Sequence, residues 1–122
     1  MHVLIAENET AVSRLLGVLM KREGHESQVV EDGREAVEVA RREVPDLVVM
    51  DAVLPGICGQ ELVEQLRATD ETAGIPLIVL GTREELDEFG TNGFATLSKP
   101  FALPELRAAI EHAVESRVAT AR

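Results

Sequence analysis

At 122 residues the chain has the length of one domain, and its 45% hydrophobic composition suits a packed core rather than disorder. That core must be aliphatic, because the sequence holds no Trp, no Tyr and three Phe. A formal net charge of −10 argues against nucleic acid or an anionic membrane as a direct partner, and one Cys excludes an internal disulfide.

The opening apolar run, residues 3–6, is too short for a membrane span or a signal-peptide core. With the single Cys, this points to the cytoplasm. The run predicts a first strand, and Glu7, Asn8 and Glu9 follow it. Val12, Leu15, Leu16 and Leu19 then fall at the i, i+3, i+4, i+7 spacing of one helix face, with Gly24 as the stop. Residues 27–30 are more polar and predict a strand near a sheet edge. Ala36, Val37 and Ala40 mark a second helix that ends before Pro45.

Residues 47–50 and 77–80 are again short and wholly apolar, and residues 95–97 form a weaker run. Uninterrupted runs of this length suit strands covered on both faces, as in a parallel sheet. Between them Leu62, Val63 and Leu66 mark a helix after Gly59, and residues 84–89 leave room for an unusually short one. Leu106, Ala109, Ile110, Ala113 and Val114 mark the last helix, with Pro104 in its first turn. The expected fold is therefore α/β, a doubly wound (βα)5 arrangement with a parallel sheet between two helix layers. Residues 1–122 read as one domain, without repeat or linker.

In such folds ligands bind beyond the carboxyl ends of the strands. The residues there are Glu7, Asn8 and Glu9 after the first strand, Asp51 at the end of the third, Gly81 and Thr82 after the fourth, and Ser98, Lys99 and Pro100 after the fifth. Carboxylates with carbonyls and water make a Mg²⁺ site. A carboxylate can also take a phosphoryl group as an acyl phosphate, while Mg²⁺ and a lysine neutralise the transferring charge. A glycine-rich phosphate loop after the first strand, which a flavodoxin-like nucleotide binder or other α/β enzyme would need, is absent.

The run Val48-Val49-Met50-Asp51-Ala52-Val53-Leu54-Pro55-Gly56-Ile57-Cys58-Gly59 resembles the phosphoacceptor segment of response-regulator receiver domains. The opening Val3-Leu4-Ile5-Ala6-Glu7-Asn8-Glu9, the strand Ile75-Pro76-Leu77-Ile78-Val79-Leu80 and the closing Leu97-Ser98-Lys99-Pro100-Phe101 resemble that family in the same order. The resemblance implies the flavodoxin-like three-layer sandwich with sheet order 2-1-3-4-5. It implies phosphorylation of Asp51 by a histidine kinase or phosphotransfer protein, and a protein-binding output rather than enzymatic turnover. Mg²⁺ would be held by Glu7, Asn8, Asp51 and the Val53 backbone carbonyl. The phosphoryl group would be held by Lys99, the Ala52 backbone and, if the strand end shifts, Thr82. The Lys99–Pro100 bond is expected to be cis, and a homodimer is an open possibility.

Four departures accompany the resemblance. Asn8 stands where the family has a second acid, which lowers the expected metal affinity, and the Glu9 side chain is expected to point elsewhere. Gly81 replaces the family's hydroxyl residue, Thr96 its switch aromatic, and the segment from Gly81 to Lys99 is short, so the fourth helix should be truncated. These altered switch positions keep a second reading alive: a pseudo-receiver that binds other proteins without phosphorylation. Cys58 reads as a loop thiol, the three His show no ligand spacing, and Phe89, Phe94 and Phe101 read as packing residues.

Overall fold

A computed structural model describes residues 1–90 and 94–120, with side chains to Ser116. Five strands, β1 (His2–Ala6), β2 (Glu26–Val30), β3 (Leu47–Asp51), β4 (Leu77–Gly81) and β5 (Ala95–Ser98), form one parallel sheet in the order β2-β1-β3-β4-β5. Six helices connect or follow them: α1 (Thr10–Arg22), α2 (Gly33–Glu43), α3 (Gly59–Arg67), α4 (Asp70–Ala73), α5 (Arg83–Phe89) and α6 (Leu103–Thr120).

The central strands are apolar at successive positions because each face of the sheet meets its own helix layer. Leu4, Ala6, Val48, Met50, Leu77 and Val79 turn toward the side of α2, α3 and Leu86 of α5. Their chain neighbours Val3, Ile5, Leu47, Val49, Ile78 and Leu80 turn toward α1 and α6. Burial of each large aliphatic side chain contributes about 1.5–3 kcal/mol, so two such layers account for the order of an almost aromatic-free core. The outer strands show the weaker patterning expected of edges: β5 alternates buried and exposed residues, and in β2 Val30 is the buried residue.

The structure differs from the sequence reading in two local respects. The buried side of α1 is Ser13, Leu16, Leu19 and Met20, whereas Leu15 is 44% exposed. Two overlapping apolar stripes run along this helix, and docking on the sheet selects the one that includes Met20. The four-residue α4 has no periodicity to announce it. It forms around Thr72, whose buried hydroxyl donates to the Leu66 carbonyl and pairs with Thr69. The helix after β4 is short, as expected, at seven residues; residues 91–93 of the connection that follows lie outside the described part. Among the described residues no helix is long and apolar enough to cross a membrane.

Candidate functional site

The chain runs from β1 outward to β2, then returns across β1 to β3, so the switch in strand order lies between β1 and β3. Glu7 leaves the end of β1 and Asp51 closes β3, on the two sides of that switch. Both are nearly buried, at 1% and 3% exposure, although ionisable groups rarely are unless paired. Asp51 Oδ1 accepts the Val53 N–H at 2.8 Å, and Oδ2 accepts from Lys99 Nζ at 2.6 Å. Lys99 is carried there by β5; its N–H donates to the Gly81 carbonyl, and its bond to Pro100 is cis.

Glu7 is fixed at both ends. Its N–H donates to Val30, and Oε1 accepts the Glu9 N–H at 3.0 Å. Oε2 is buried without a hydrogen-bond donor, with Lys99 Nζ 3.4 Å away. Burial raises the Glu7 carboxyl to about 7, and the adjacent Asp51 carboxylate adds to the rise, against the Glu9 N–H and Lys99. Partial burial works to lower Lys99, but its bonds to Asp51 and Glu9 and the charge of Glu7 outweigh it, so the ammonium stays above the usual lysine range.

Glu9, expected to point away, turns in: its Oε1 lies 3.2 Å from Lys99 Nζ. Glu7, Glu9 and Asp51 each bring a carboxylate oxygen within 4.8 Å of the other two. Asn8, the expected amide ligand, is exposed. An oxygen-rich donor set with an undonated buried carboxylate oxygen fits a hard divalent cation such as Mg²⁺.

A match to the response regulator receiver domain model covers residues 3–111. The chain belongs to this receiver-domain family. It is 37% identical over 114 residues to the phosphate regulon transcriptional regulatory protein PhoB of Rhizobium meliloti, covering 89% of this chain and 50% of that protein. Protein PilH of Pseudomonas aeruginosa is 34% identical over 84 residues, covering 69% of each. The receiver thus spans about half the length of the first of these relatives. Among solved structures, a putative response regulator from Chloroflexus aurantiacus superposes with a TM-score of 0.86 at 25% identity, covering 93% of this chain and 97% of that one. The receiver domain of a sensor histidine kinase of Pseudomonas aeruginosa, solved with a magnesium ion in its active-site cleft, superposes with 0.82 at 25% identity over the same shares.

The remaining expected site residues of this receiver divide into two groups. Ala52 was expected to offer its backbone to the phosphoryl group, but its N–H is spent on the Leu80 carbonyl at 2.8 Å, as one further rung of the β3–β4 ladder. The amide that does face the acceptor carboxylate is that of Val53. Thr82 caps α5: its hydroxyl accepts the Glu85 N–H while Glu85 Oε1 accepts the Thr82 N–H, a complete capping box.

That box explains Gly81. A Cβ at this position would lie 3.2 Å from Glu85 Cβ and 3.3 Å from Glu85 Oε1, a tight fit in which the cap would have to give by a few tenths of an ångström. Thr96 is exposed on β5. Phe94, partly buried before β5, packs edge-on against Phe89 and beneath the Arg67 guanidinium. Gly59 is required by close approach, since a Cβ there would meet the Ala52 carbonyl oxygen at 2.7 Å. Cys58 is a free, exposed thiol.

Proposed function

We propose that this receiver accepts a phosphoryl group on Asp51 from a phosphohistidine of a histidine kinase or phosphotransfer protein, and that the modified domain changes its binding to another protein. The observation that supports this best is the Lys99–Asp51 contact beside the buried Glu7 at the strand-order switch. An Asp51 oxygen attacks phosphorus in line with the P–N bond. The new O–P bond forms as the P–N bond breaks, and the imidazole nitrogen keeps the electron pair. The Val53 N–H and Lys99 orient the carboxylate, and Lys99 then neutralises a phosphoryl oxygen. Mg²⁺ held by Glu7, Asp51 and a neighbouring oxygen donor, with the Val53 carbonyl as the family pattern implies, would supply charge stabilisation for the transfer.

A second reading is favoured by the capping box over Gly81 and by the exposed Thr96. On that reading the domain binds its partner without phosphorylation. Acetyl phosphate with millimolar Mg²⁺, followed by intact-mass measurement, separates the two. Wild type should gain a phosphoryl group and Asp51→Ala should not; an unmodified wild type would leave the phosphorylation-independent module standing. The role within any longer protein and the location in the cytoplasm belong to this proposal too.

A further inference from the structure

We propose that Glu9, rather than Asn8, is the carboxylate that completes the divalent-cation site beside Asp51, and that in the cation-free protein it holds Lys99 instead. This rests on the cation-site reading above. Glu9 occupies the N-cap of α1, where a short polar side chain ordinarily accepts from the next free amides. It makes no such bond. Its carboxylate reaches Lys99, across a separation of 90 residues in the chain.

There it joins two nearly buried carboxylates, Glu7 and Asp51, gathered around the same ammonium. Glu7 Oε2 is buried without a donor and faces the same ammonium. Oxygen ligands of one Mg²⁺ lie at most about 4.2 Å apart, twice the metal–oxygen distance, so oxygens mutually within 4.8 Å would close by some tenths of an ångström to share an ion. With Glu7 deprotonated, three carboxylates against one ammonium leave a formal excess of two negative charges, which one divalent cation would balance. Asn8 is exposed, as Glu9 is, but it brings no charge.

Glu9 therefore has two partners to exchange. Without the cation it shares Lys99 with Asp51 and Glu7; with a cation bound, Glu9 would turn to the ion and give up its share of Lys99. Loading the site would thereby remove one of the three carboxylate contacts that hold the lysine.

Mn²⁺ titration of the whole chain, with free Mn²⁺ read by electron paramagnetic resonance, tests this without phosphotransfer. Glu9→Gln should weaken binding at least about ten-fold, whereas Asn8→Ala should leave it within about two-fold. Placing Asn8→Asp in the Glu9→Gln background should restore affinity, which distinguishes a lost ligand from a damaged fold. Equal binding by Glu9→Gln and wild type, or a larger loss in Asn8→Ala, would overturn the proposal. A wild type without saturable binding at millimolar Mn²⁺ would remove the cation site itself.

Discussion

The Lys99 ammonium lies 2.6 Å from the Asp51 carboxylate although the two are 48 residues apart in sequence. The contact joins β5 to β3 across β4 and gathers Glu7 and Glu9 around the same nitrogen. Lys99→Met should therefore cost stability as well as chemistry. The buried Asp51 carboxylate would lose its counter-charge beside Glu7 and Glu9, and a loss of roughly 3 kcal/mol at neutral pH is expected. Urea denaturation checks this. Added Mg²⁺ should recover more stability in the variant than in wild type, while phosphorylation by acetyl phosphate should slow by about 100-fold.

Glu7 gives the domain a pH dependence of opposite sign to the common carboxylate case. Its folded value is about 7, above the ordinary 4.5. Between those values the folded state holds a proton that the unfolded state has lost, so this residue's contribution falls as pH rises from about 4.5 to 7. In chelator-treated protein, Glu7→Gln should be more stable than wild type at pH 8, by on the order of 2 kcal/mol, with the difference vanishing toward pH 4. Chemical denaturation across that range measures it; a difference that grows on acidification would contradict the burial argument.

Gly81 and Glu85 should behave as a coupled pair. Gly81→Ser, a change that would place a hydroxyl there, should crowd Glu85 in its capping box and cost up to about 1 kcal/mol. Glu85→Ala loses the same cap by itself. In a double-mutant cycle the two losses should be clearly less than additive, because the second substitution finds the cap already broken.

Val44 sits in the left-handed region at φ 44°, as the C-cap of α2 immediately before Pro45. A β-branched residue is strained there, and at 45% exposure it has little burial to lose. Val44→Asn should stabilise the domain by about 0.5–1 kcal/mol, visible as a higher melting temperature with an unchanged denaturant slope.

Much of the fold follows from local pattern. The runs at residues 3–6, 47–50 and 77–80 are apolar at every position and too short for helices, which suits strands covered on both faces. Asp51, Lys99 and Glu7 were legible as site candidates because strand ends in this architecture share one edge. Other features depend on distances that no local pattern encodes. The inward turn of Glu9 is set by Lys99, ninety positions away. The loss of the Ala52 amide to Leu80 depends on the β3–β4 ladder running one residue past its last paired strand position. The buried stripe of α1 was chosen between two nearly equal candidates by the surface it meets. Periodicity and strand order thus selected the architecture and the edge at which charge collects. Which carboxylate faces the lysine, and which hydroxyl is consumed as a cap, were decided by side-chain reach and competition for hydrogen-bond partners, terms that come into being only when the chain has closed on itself.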